Sequence, residues 1–187
     1  ESVSIDGFQI GLSNSFNDTT SFKLGLAQYK FDKIKGRPAS EITWNGKIFG
    51  NPIDANGNYL SNFNIMNISA EIKTTIGTQS IPTLFFIDMV NNKDAEDHER
   101  GFQAGIRLNF NQLWKVTYLY KDVEKNAVFG ALVDSTFGGG GAGHKGHQMI
   151  ISYPLSKKVI LDISWFDNKK KMEIDYQKAL LDFKYKF

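Results

Sequence analysis

Apolar residues recur at every second position through most of this chain, and no 3.6-residue stripe runs longer than two turns. Nine segments alternate in this way: residues 6–13, 21–31, 63–73, 81–90, 101–110, 114–123, 146–154, 158–166 and 177–187. Successive side chains of an extended chain point to opposite sides, so each segment is a predicted β-strand with one apolar face. That face carries Phe8, Ile10 and Leu12 in the first segment, Ile68 and Ile72 in the third, Phe85, Ile87 and Met89 in the fourth. Val159, Leu161, Ile163 and Trp165 form it in the eighth.

The intervening positions are polar and of mixed charge. Ten of them are the candidate lining of a water-filled lumen: Lys23, Glu71, Asp88, Arg107, Lys115, Lys121, Asp162, Asp182, Lys184 and Lys186. A soluble sandwich or lipocalin alternates too, but it closes its apolar face into a core. Here the apolar stripes are long, recur on every strand and end in aromatic residues. Those properties match a lipid-facing band with interfacial girdles, and the predicted fold is an all-β, antiparallel transmembrane barrel.

Connection lengths add an independent argument. With the last strand running inward, residues 14–20, 74–80, 111–113 and 155–157 become short periplasmic turns, and 32–62, 91–100, 124–145 and 167–176 become longer external loops. Outer-membrane barrels have that asymmetry. Nine strands leave the first and last parallel, whereas single-chain bacterial barrels close with an even number. The expectation is therefore that residues 1–187 are the C-terminal portion of a larger barrel, with no separate second domain.

Composition narrows the function. The 22 basic and 20 acidic residues are interspersed, which argues against a nucleic-acid surface. There are no cysteines, so disulfides and thiolate metal sites are excluded. The 17 glycines, 15 Phe, 7 Tyr and 3 Trp suit strands and turns.

The tail KALLDFKYKF places Leu181, Phe183, Tyr185 and Phe187 at alternate positions, with Phe187 last. It resembles the C-terminal signal strand that the barrel-assembly machinery recognises. Upstream, an AVFGA segment, the DS-x-F-GGGG loop, the KGH strand start, the WFDN strand end and the DYQ-started last strand are similar to the end of the putative porin family of Gram-negative bacteria. The resemblance covers about the last 65 residues well and the preceding rhythm more loosely. It implies an outer-membrane location, a passive channel and no catalytic residue. Thr136 stands where the family loop has an acid, so no role of that acid carries over.

Other motifs dissolve on inspection. Gly141, Gly143 and Gly146 have the GxGxxG spacing and come after a strand-like segment, residues 127–133. The sequence after them, HQMIISYPL, is β-branched and ends at Pro154, so the helix that a dinucleotide site requires is missing. His144 and His147 lie three apart, a spacing that does not join two imidazoles on a strand. Asp54-Ala55-Asn56-Gly57-Asn58 opens like a calcium loop but lacks the closing Glu, and turn chemistry explains it better. A weak external calcium site is the only cofactor left open. The acidic run Asp94, Glu96, Asp97 and Glu99 reads as a solvated loop tip.

The expected function is passive diffusion of small hydrophilic solutes or ions through an outer-membrane porin. The alternative is a soluble barrel or sandwich that binds a small ligand or a partner surface. Expected partners are outer-membrane lipid, the barrel-assembly machinery and the permeating solutes, with a homo-oligomer left open. The loops 32–62 and 124–145 carry Trp44, Ile48, Phe49, Val128 and Phe129, odd choices for free solvent, and are expected to fold inward. Asp134, Phe137 and His144 are the candidate constricting residues.

Overall fold

A computed structural model describes residues 2–111, 113–170 and 173–187. It contains one nine-stranded sheet in which every strand pairs antiparallel with its sequence neighbours. The strands are β1 (Ser4–Ser15), β2 (Ser21–Asp32), β3 (Phe63–Ile76), β4 (Ile81–Asn92), β5 (Arg100–Phe110), β6 (Trp114–Val123), β7 (His144–Pro154), β8 (Val159–Lys170) and β9 (Ile174–Tyr185). Each predicted segment corresponds to one of them. The only α-helix among the described residues is α1 (Ala39–Ile42), a single turn in the loop between β2 and β3. No pairing joins β1 to β9 among the described residues, so the sheet is open.

The shortest strand has 10 residues and the longest 14, about twice the usual length in soluble sheets. Registers are uninterrupted across all eight pairings. A one-residue slip anywhere would turn a strand over and move its apolar side chains to the other face. None occurs. Leu26, Ile68 and Met89 are aligned across β2, β3 and β4, and Ile151, Ile163 and Leu181 across β7, β8 and β9.

Connections alternate in length, with one exception. One end of the sheet, the turn end, has the connections 16–20, 77–80, 111–113 and 155–158; the other has 33–62, 93–99 and 124–143. The expected long loop at 167–176 is a correction. β8 continues to Lys170 and β9 starts at Ile174, so only three positions separate them. Asp167, Asn168, Lys169, Lys170 and Asp175 look like loop residues. Backbone pairing nevertheless carries the two strands past the end of the apolar band, where polar side chains are favoured.

A second correction concerns the strand-like segment 127–133. β5 and β7 occupy both edges of β6, so the chain that leaves β6 meets no free edge beside it. It forms instead a 3-10 turn at Gly130–Leu132, with Ala127 and Phe129 buried.

Candidate functional site

The sheet is inverted relative to a soluble protein. Along β8, Ile163 is 47% exposed and Trp165 49%, whereas Asp162, Ser164 and Phe166, which alternate with them, are 5%, 6% and 1% exposed. Large apolar side chains also stand in the open on β1, β2, β3, β4 and β9. Water penalises such a surface at roughly 25 cal/mol per Å². Aromatic pairs flank this outer face: Trp114 and Tyr153 lie 4.5 Å apart and Tyr185 and Phe187 5.4 Å apart at the turn end, with Phe102 and Tyr120 5.8 Å apart toward the loops.

The opposite, inner face is the one on which the long loops pack. The registers place Lys23, Glu71, Asp88, Arg107, Lys115, Lys121, Asp162, Asp182 and Lys184 together on it. Lys186 lies just beyond the end of β9, where its N–H donates to the Lys158 carbonyl at 2.8 Å. Lys184 donates to the Asp162 carboxylate, joining β9 to β8. Leu181, Phe183, Tyr185 and Phe187 are all exposed on the outer side.

Near the loop end the inner face becomes apolar, a feature the two-residue period did not reveal. Phe31, Phe63 and Ile65 are buried there with Ile34, Ala39 and Tyr59 of loop 33–62. Phe129 of loop 124–143 enters this group, with its ring centroid 5.6 Å from Phe31, 6.0 Å from Tyr59 and 5.4 Å from Phe63. Each such side chain contributes roughly 1.5–3 kcal/mol on burial. The loops therefore fold inward as expected. The signal in sequence was the apolar side chains of Tyr29, Phe31, Phe63 and Ile65 on the face that is otherwise polar.

Buried asparagines fasten the loops. Asn51 donates from Nδ2 to the carbonyls of Lys125 at 2.7 Å and Val128 at 2.8 Å, and its Oδ1 accepts from the Gly130 N–H at 2.8 Å. Asn92 donates to the carbonyls of Asn62 at 3.1 Å and Asn126 at 2.9 Å. Asn168 Oδ1 accepts from the Gly138 N–H at 3.3 Å. An asparagine amide offers two donors and an acceptor, the set a loop backbone without secondary structure needs.

The glycine run serves the same purpose. The Ala142 N–H donates to the Phe49 carbonyl at 2.8 Å. At Gly141, φ is +95° and a Cβ would lie 2.3 Å from the Phe49 oxygen; at Gly50, φ is +86° and a Cβ would lie 2.1 Å from the Ala142 oxygen. Only glycine allows the two backbones to meet so closely. Strand β7 begins at His144, inside the GxGxxG spacing, so no helix opens there.

The three constriction candidates separate. Phe137 is buried under the Lys121 ammonium, 5.0 Å from the ring centroid. His144 is buried at the start of β7 with Nε2 2.8 Å from the Gly140 carbonyl oxygen, bracing the glycine run. Asp134 is exposed and accepts from the Thr136 N–H and hydroxyl, both at 2.8 Å. His147 points to the outer side, with Nδ1 2.7 Å from the Tyr118 hydroxyl, so the two histidines of HxxH lie on opposite faces. In the calcium-like loop, Asp54 Oδ1 accepts from the N–H groups of Asn56 and Asn58, both at 2.8 Å. These bonds, with that to Asn58 foremost, hold its carboxyl below the ordinary carboxylate range. Asp97 accepts from Asn126 and Glu99 pairs with Arg100.

The family described as "Putative porin" matches residues 56–187. The chain belongs to that family. Comparison with curated proteins finds no match. Within this porin-family chain the matched region runs from the end of loop 33–62 through β9, and so includes seven of the nine strands. The all-β sheet and the family agree on a porin-like role.

Proposed function

We infer that the chain is part of the wall of a transmembrane β-barrel in a bacterial outer membrane, and that the barrel is a porin for small hydrophilic solutes or ions. The observation that carries this reading is the inverted alternation of β8, in which Ile163 and Trp165 are exposed and alternate with buried Asp162 and Ser164. Only a solvent of lipid makes that arrangement favourable, because it accepts the apolar side while water fills the polar side. A soluble sandwich would have to cover the outer face, and no element among the described residues lies on it.

The unpaired edges of β1 and β9 support closure. An open edge of 12 residues cannot stand in hydrocarbon, where each unmet N–H or carbonyl costs several kcal/mol. Nine antiparallel strands put β1 and β9 in the same direction. An odd number of further strands restores antiparallel pairing at both seams.

No chemistry is performed; the inner face filters by width and charge. Its cations Lys23, Arg107, Lys115, Lys121, Lys184 and Lys186 outnumber Glu71, Asp88, Asp162 and Asp182, so a weak anion preference is expected. The exposed Leu181, Phe183, Tyr185 and Phe187 suit recognition by the barrel-assembly machinery.

Two measurements test the reading. Boiled and unboiled samples in detergent should differ in gel mobility, and the protein should insert conducting steps into planar bilayers with a reversal potential on the anion side. Extraction without detergent, or absence of conductance, would reject it. Cation selectivity would reject the charge assignment alone.

A further inference from the structure

The loops cover the inner face unevenly. A cavity of about 560 Å³ stays uncovered, and every residue lining it belongs to β1–β5. Four of those residues are charged, two of each sign: Lys23 and Arg107, Glu71 and Asp88.

These four charges do not neutralise one another. Lys23 and Glu71 stand directly opposite on β2 and β3, where an opposite-charge pair ordinarily closes, yet no ion pair joins them among the described residues. Asp88 accepts from the side-chain amide of Asn67. Arg107 donates from Nε to the Thr117 hydroxyl at 3.2 Å. Both partners are uncharged, so they orient the two groups without closing an ion pair, and the Lys121 ammonium acts on Asp88 only at longer range.

The floor is built to leave room. At Gly25 a Cβ would lie 2.6 Å from the Ser69 hydroxyl oxygen, so any side chain there would enter the space the cavity needs. Phe86 sits between Glu71 on β3 and Gly105 on β5. A Cβ at Gly105 would lie 2.5 Å from its ring, so that ring lies over bare backbone. Asp88 is one inward-facing level above the Lys23 and Glu71 row, and Arg107 one level below it. One level is roughly 6.5 Å and one strand spacing roughly 4.8 Å.

We propose that this cavity is a station for small zwitterions, the free α-amino acids and short peptides, on the permeation route. The proposal rests on the porin reading and names its preferred solute class. A zwitterion carries an ammonium for Glu71 or Asp88 and a carboxylate for Lys23 or Arg107, and both contacts are charge-assisted hydrogen bonds. A simple anion or cation meets as much repulsion as attraction in a set whose net charge is zero. A polyol of equal size forms only neutral hydrogen bonds.

The test uses the full protein in liposomes at pH 7, with osmotic swelling rates for glycylglycine and for a polyol of similar mass. The wild type should admit the dipeptide several-fold faster. In K23Q/E71Q the ratio should fall to about one; in K23R/E71D, which retains both charges, it should persist. Gly25→Val, which fills the floor without changing charge, should lower it too. Lys47→Gln, on an exposed loop, should behave as wild type. Equal rates in the wild type, a polyol preference, or a ratio unchanged in K23Q/E71Q would overturn the zwitterion station and leave the porin reading standing. Swelling no faster than that of empty liposomes for either solute would overturn both.

Discussion

The backbone N–H of Gly130 donates to the Oδ1 of Asn51 at 2.8 Å, and this contact joins two loops that lie 79 residues apart in sequence. Asn51 is almost completely buried and also holds the carbonyls of Lys125 and Val128. The inward-folded loops are therefore one fastened body. Asn51→Ala leaves a buried N–H and two carbonyls without partners, a loss of roughly 1–3 kcal/mol. The expected result is faster protease cleavage within 33–62 and 124–143 and noisier single-channel current. Cleavage and noise equal to wild type would show that the loops are held by apolar packing alone.

The glycine run should set the width of the opening. Gly141→Val combines a positive φ with a Cβ 2.3 Å from the Phe49 oxygen, so the loops must part. Deleting 136–143 removes the contact altogether. Both changes should raise single-channel conductance, and the deletion more. Unchanged conductance in both would place the constriction elsewhere.

The two faces of β8 should respond oppositely to charge. Ile163→Arg puts a cation on the exposed apolar side and should cost roughly 2–4 kcal/mol near a bilayer midplane. Asp162→Asn retains shape on the inner face and leaves only a largely exposed lysine without its pairing, so it should cost less than Ile163→Arg. Urea unfolding in lipid vesicles measures both. Equal costs would contradict the assignment of faces.

Acid should loosen loop 33–62 at the Asp54 turn. The folded carboxyl titrates below its ordinary range because the Asn58 N–H, then its side-chain amide and the Asn56 N–H, favour the anion. A depressed folded value means that the stabilisation is complete above the unfolded pKa and disappears as pH falls through the folded one. Hydrogen exchange of the Asn56 and Asn58 amides should therefore accelerate relative to their unfolded rates below that range, and Asp54→Ala should be loose at every pH. Protection that stays constant in acid would exclude this role.

Much of the architecture was legible because strand geometry is local. The alternation of Ile163 and Asp162, or of Ile87 and Asp88, assigns a face whatever lies beyond, and the registers align all nine apolar stripes on one side. The charged residues of the inner face were legible for the same reason. Strand ends were less so. Asp167 to Lys170 are polar and resemble a loop, but backbone pairing tolerates polar side chains once the strands leave the apolar band.

Sequence alone thus determined the strands, their faces and the inward tendency of apolar loops, since each depends on spacing within a few residues. Tertiary structure decided the rest. Asn51, Asn92 and Asn168 are ordinary loop and strand residues until distant backbones bring them unmet N–H and carbonyl groups. The glycines at 138–141 have no evident purpose in the sequence until the Phe49 carbonyl is seen against Gly141. Lys23 and Glu71 become a binding pair only because the loops cover other parts of the inner face and leave theirs open. Hydrogen-bond satisfaction and exclusion of water are properties of neighbours far apart in the chain, and no local period encodes them.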